Sequence, residues 1–152
     1  MREIKYRGLD KQGVWHYGYY IKHLPYTPSP IRAERENKEI EKDYEHYIVH
    51  DEFSDWNMPR NTVNIQVISE TIGQYVGLKD KSRKEIYEGD IVKNTILNTG
   101  FMDGNSKGLI EYSRAEFIIV SGNHHQIVGD WIEIIDNIYE NPELLNKGDK
   151  NG

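Results

Sequence analysis

Six histidines and 25 acidic residues are the groups on which metal binding or acid–base chemistry in this chain would rest. His46 and His50, in HYIVH, are four residues apart, a spacing that on a helix turns two imidazoles toward one metal. The intervening Tyr47, Ile48 and Val49 favour a strand instead, where four residues span about 13 Å, too far for a shared ion. His124 and His125 fall in a predicted loop with no carboxylate beside them, Asp130 being remote. His50, Asp51 and Asp55 are the group that would hold a divalent ion for hydrolysis, since paired carboxylates and an imidazole can activate water. In so acidic a chain, however, nearness in sequence carries little weight. No G-x-S-x-G elbow, P-loop or G-x-G-x-x-G occurs, and there is no cysteine for thiolate chemistry, disulfides or Cys-bound metals. The expectation is no catalytic residue, no metal and no cofactor.

Two further groups bear on binding rather than catalysis. Lys79, Lys81, Arg83 and Lys84, in KDKSRK between Tyr75 and Tyr87, form a basic strip flanked by aromatics, as single-stranded nucleic acid would require. The net charge of −6 works against that partner, because binding to phosphates is driven by cations displacing counterions. Charges at a hairpin tip also guard a sheet against edge pairing. Trp56, in the polar run SDWNMPRN beside Asp55, and Tyr20, in VWHYGYYI, are the candidate contacts for a protein partner. An exposed Trp supplies a large share of binding energy. The competing expectation has Trp56 folded back between two β portions.

The elements that must position these groups are mostly strands. IKYRGLDKQGVWHYGYYI reads as two strands joined at LDKQG, with Asp10 and Gly13 as turn residues. On the second, Trp15, Tyr17, Tyr19 and Ile21 share one face and Val14, His16, Gly18 and Tyr20 the other; the Trp face is the expected core. A proline-interrupted, highly charged stretch follows, a charged loop or short helix near 28–45. YIVHDEF and NTVNIQVI are strands around the Trp56 loop. GQYVGL and EIYEGDIVKN flank the KDKSRK turn, with Gly89 marking a bulge or bend. TILNTGFMDGNSKG reads as a long loop. LIEY, EFIIV and DWIEIIDNIY are the remaining strands, the isoleucine face of the last being the buried one. Asn141 and Pro142 open a terminal helical turn. No internal repeat is apparent. At 152 residues, with eleven Tyr and three Trp, the chain is a folded, mainly β protein of one domain or two small ones. No apolar run approaches the length of a membrane span, so a soluble, cytoplasmic protein is expected.

REIKYRGLDKQG, SDWNMPR, ETIGQYVGLKDKSRKEIYEGDIV and IDNIYENPEL resemble, in that order, the signature segments of the YopX family, proteins of temperate phages and prophages of Gram-positive bacteria. The resemblance runs from Arg2 to Leu144. It implies an SH3-like small β-barrel over 73–145, an N-terminal β-rich portion over 1–72 and a disordered tail over 146–152, and no catalytic residue. Two departures bear on turns. Ser82 and Arg83 stand where relatives carry Asn-Gly, which predicts a looser loop at the hairpin tip. Asp136 stands where glycine is common, which puts a tight bend there in doubt. The function expected is a non-enzymatic interaction module binding a host or phage protein, with a nucleic-acid-associated barrel or a small metal-dependent hydrolase as alternatives. Edge strands leave room for a homo-oligomer.

Overall fold

The computed structural model describes residues 3–29, 39–94 and 106–145, and the chain divides into two compact units, Lys5–Ile72 and Gly73–Gly152 with Met1–Ile4. The described elements are strands and short 3-10 turns. None of the helices among the described residues is long and apolar enough to cross a membrane.

The N-terminal unit is an antiparallel meander of β1 (Tyr6–Leu9), β2 (Trp15–His23), β3 (Glu45–Asp51) and β4 (Thr62–Gln66), in the order β4-β3-β2-β1. The β1–β2 turn is set by Asp10, whose Oδ1 accepts the amides of Gln12 and Val14, both at 2.9 Å, while Gly13 takes φ +83°. Pairing of Tyr6 with Gly18 and of Tyr20 with Ile48 puts Tyr6, His16, Gly18, Tyr20, His46 and Ile48 on one face. That is the covered face: Ile48 is fully buried, and Gly18 lies so close to β3 that a Cβ would meet the Val49 carbonyl oxygen at 2.2 Å. The expected core face is therefore inverted. Tyr17, Tyr19 and Ile21 are 46%, 69% and 47% exposed, while His16, Gly18 and Tyr20 face inward, the missing Cβ of Gly18 allowing β3 its close approach. Of the charged stretch near 28–45, residues 30–38 lie outside the described residues, and Glu41–Asp43 form a 3-10 turn.

The C-terminal unit begins with the hairpin β5 (Gly73–Lys79) and β6 (Glu85–Tyr87), followed by β7 (Asp90–Asn94), β8 (Lys107–Ser113), β9 (Glu116–Ser121), β10 (His124–Ile127) and β11 (Ile132–Asn137). The last five form an antiparallel sheet ordered β10-β9-β8-β7-β11. Its inner face carries Val92, Ile110, Ile119 and Ile132, which pack with Val76 and Ile86 of the hairpin and with Val128 into one aliphatic core. The sheet does not close: β10 and β11 stand at its edges, with no closed barrel among the described residues. Gly89 makes the corner between β6 and β7 with φ +82°, and a Cβ there would press on the Tyr139 ring at 2.7 Å.

Three local expectations change. The hairpin tip is tight rather than loose. Asp80, 3% exposed, accepts the amides of Ser82 and Lys84 on Oδ1 at 2.8 and 2.9 Å, and Arg83 adopts φ +70° in place of a glycine. His124 and His125 belong to strand β10, paired with Ser121 and Val120 across a two-residue turn at Gly122. After Asp136 the chain does bend without a glycine: the Asn137 side-chain oxygen accepts the amides of Tyr139 and Glu140 at 3.1 and 3.0 Å, and Asn141 donates its side-chain amide to Asp136 at 2.7 Å. Pro142–Leu144 then form a 3-10 turn. Of the long loop read at 95–108, residues 95–105 lie outside the described residues and Lys107 and Gly108 belong to β8 instead; the tail at 146–152 also lies outside the described residues.

Candidate partner-binding site

The loop joining β3 to β4 is closed at its base by the Glu52 amide donating to the Asn61 carbonyl at 2.7 Å. Within it the Met58 amide donates to the Asp55 carbonyl at 3.1 Å, and Asn57, a residue that tolerates the left-handed region, takes φ +60°. The Asp55 carboxylate accepts the Trp56 amide at 2.8 Å, and the Ser54 hydroxyl donates to the Met58 carbonyl at 3.3 Å. A loop held by its own hydrogen bonds thus presents three large apolar side chains outward: Phe53 and Trp56 at 92% exposure and Met58 at 62%. Trp56 is not folded back. Clusters of exposed apolar side chains on an otherwise polar surface mark interaction sites, and rigid aromatics there lose little entropy on binding.

The other predicted site residues are distributed differently. Asp55 is a turn residue. Tyr20 is on the covered face of the meander, its hydroxyl 2.7 Å from His46 Nδ1 and its ring stacked on that imidazole at 5.8 Å. Burial pushes its phenol above the ordinary range. It is a packing residue rather than an outward contact. Phe53 and Met58 were not singled out by sequence, although three large apolar residues with no strand or helix period among Ser, Asp, Asn and Pro would have been the signal.

His50, Asp51 and Asp55 are not brought together. His50 Nδ1 lies 3.0 Å from the Asp51 carbonyl oxygen, its ring stacks on His16 at 6.2 Å, and Asp51 faces Arg60 at 3.8 Å. His16 in turn is held by Asp10 at 2.8 Å. Among the described residues no three His, Asp or Glu side chains gather as metal ligands. In the basic strip, Lys81 pairs with Glu133 at 2.6 Å, and Lys93 joins the same carboxylate at 3.2 Å. These two ammoniums, Lys81 foremost, hold Glu133 below the usual carboxylate range. Lys79 stands opposite Glu85 across the hairpin. Tyr75 and Tyr87, the aromatics that would stack on bases, are buried and pack on one another at 5.6 Å.

The family described as YopX protein matches residues 5–146. No curated protein matches the sequence. Among solved structures, the crystal structure of protein EF1440 from Enterococcus faecalis is similar, with 22% identity and a TM-score of 0.48 over 95% of this chain and 99% of that one.

Proposed function

The chain belongs to the YopX family, and from that premise we propose that it is a non-enzymatic protein-interaction module of a temperate phage or prophage, acting in the cytoplasm of the host. Its contact is the β3–β4 loop, with Trp56 as anchor and Phe53 and Met58 beside it. The observation that carries this reading is the 92% exposure of Phe53 and Trp56 on a loop whose backbone is tied in place. An anchor presented on an ordered loop loses little freedom on docking, so more of its apolar burial reaches the affinity. In the same reading the C-terminal sheet is a partly open small barrel of SH3-like kind, whose fifth strand returns to pair with the first.

The test is recovery of a defined partner by tagged protein from nuclease-treated host lysate, followed by reconstitution with the purified partner. Trp56→Ala is expected to weaken the reconstituted complex by about thirtyfold or more while leaving the unfolding midpoint unchanged, as for a binding anchor worth about 2 kcal/mol or more. A variant that binds as tightly as the parent, or one that unfolds, would remove Trp56 as the contact. Recovery that disappears with nuclease would favour the basic hairpin instead.

A further inference from the structure

The C-terminal unit carries an open groove of about 370 Å³ between β5, the β8–β9 turn and the end of β10, lined by Val76, Leu78, Tyr112, Phe117, Ile127 and Val128. Leu78, Tyr112 and Ile127 are 39%, 55% and 67% exposed, so the groove leaves apolar surface in water beside the polar Gln74 and Glu116. Tyr112 and Phe117 pack their rings at 5.1 Å and form one wall. The lip is the two-residue turn Arg114–Ala115, where both residues take left-handed φ, +52° and +67°, without a glycine. Such positions cost energy and are kept where the surrounding structure fixes them. Glu116 is the charged residue of the lining.

We propose that this groove receives the Phe53–Met58 loop of a second copy of the chain. The inference rests on the reading of that loop as a protein contact and names the partner. Three features select this occupant. The loop offers two exposed aromatic rings and a thioether to pack on the Tyr112–Phe117 wall, and a groove of this volume is of the size that takes a large side chain with a neighbour. The charges complement: Arg60 follows Met58 by two residues, and its pairing with Asp51 is a long, solvent-exposed contact at 3.8 Å that a closer carboxylate such as Glu116 replaces at little cost. The area is consistent with a reversible contact. At about 150–250 Å² for each of two aromatic rings, with a similar area of groove wall covered in turn, the interface totals roughly 600–1,000 Å², the range of weak, transient contacts. Because loop and groove are different patches, the contact is heterologous, so each copy engages one neighbour through its loop and another through its groove.

Sedimentation velocity over about 10 µM to 1 mM, where contacts of this size exchange, tests the proposal. The mean mass of the wild-type chain is expected to rise with concentration. Trp56→Ala, which keeps the groove, and Ile127→Glu, which keeps the loop, are each expected to stay at monomer mass. Mixed one to one, they are expected to form a complex of one copy each and to stop there, since each supplies the half the other lacks. Tyr112→Glu is a second groove variant, and unchanged unfolding midpoints identify the variants that remain folded. Wild type at monomer mass throughout, association of a folded groove variant equal to wild type, or a mixture that stays monomeric would each overturn the inference. If wild type stays monomeric while Trp56→Ala still loses a separate partner, the groove assignment alone fails. If wild type associates and Trp56→Ala associates equally, the loop fails as a contact as well.

Discussion

The β1–β2 and β5–β6 hairpins close with the same turn in units whose interiors differ. In each, an aspartate amide donates to the carbonyl four residues on, Asp10 to Val14 at 3.0 Å and Asp80 to Lys84 at 2.8 Å. In each, the residue three positions on donates back to the aspartate carbonyl and takes a left-handed φ, Gly13 at +83° and Arg83 at +70°. In each, one carboxylate oxygen accepts the second and fourth following amides. The second oxygen differs. In the N-terminal unit it holds the His16 imidazole at 2.8 Å, in the C-terminal unit the Ile134 amide of β11 at 3.1 Å. The turn is thus a transferable local device, while the remaining oxygen ties it to whatever lies behind. The C-terminal unit has an aliphatic core of seven buried residues; in the N-terminal unit the buried apolar side chains among the described residues are Ile40, Ile48 and Val67, and the half-buried rings of Tyr6, Tyr20 and His46 pack on one another.

Replacing the carboxylate separates the two ties most strongly. Asp80→Asn keeps an oxygen for Ser82 and Lys84 but turns an NH2 toward the Ile134 amide, donor against donor, at a site 3% exposed. A loss of about 2–4 kcal/mol is expected from urea denaturation, the size of a buried hydrogen-bond network broken at one member. Asp10→Asn has an alternative: the new NH2 can donate to His16 Nε2 in the other tautomer, so its midpoint is expected to stay near that of the parent. Equal losses at the two positions would mean that the turn bonds, rather than the second oxygen, carry the difference.

The third turn position gives a smaller and opposite pair of effects. Arg83→Gly removes the penalty of a side chain in the left-handed region and is expected to stabilise by about 0.5–1 kcal/mol. Gly13→Ala should destabilise by a similar amount for conformational reasons alone, since nothing lies within 4 Å of the added Cβ. Chevron or equilibrium midpoints of the two variants would check the symmetry. If Arg83→Gly also destabilised, its side chain would be contributing contacts that outweigh its backbone strain.

Most strands were legible because alternation and turn residues agree, as in LDKQG and in the glycine corner at Gly89. The covered face of β2 was not. Alternation separates two faces without saying which is covered, and aromatic content pointed to Trp15, Tyr17 and Tyr19 while Gly18 marked the close approach. The tip at Ser82–Arg83 was misread because turn chemistry was sought in Asn-Gly, whereas the Asp80 side chain supplies it from two residues earlier. Trp56 was visible as a candidate, but its exposure depends on Asp55 and Asn57 setting the loop. The groove was illegible because it joins Val76, Phe117 and Ile127, which are distant in sequence and each explicable as ordinary strand residues.

Acid and salt make the finest distinction between the two units. Asp10 is held below the ordinary carboxylate range first by the Val14 amide and then by His16, and Glu133 first by Lys81 and then by Lys93. For a carboxylate depressed in the folded state, the unfolded chain takes up the proton first. The stabilisation is complete above the unfolded value, about 3.9 for Asp and 4.3 for Glu, and is lost as pH falls through the lower folded value. Both groups therefore steepen the loss of stability below about pH 4, but only the Lys–Glu–Lys contact is an exposed ion pair that salt screens. Thermal midpoints from pH 6 to pH 3 should show Glu133→Gln flattening the acid limb at low salt and hardly at all in about 1 M NaCl. Asp10→Asn should flatten it in both, because an amide bonded directly to the carboxylate is not displaced by ions in solution. If salt abolished both effects alike, the His16 charge rather than the Val14 amide would be what holds Asp10 ionised, and the Asp10 carboxylate would rest on an ion pair, whereas the Asp80 carboxylate accepts three backbone amides.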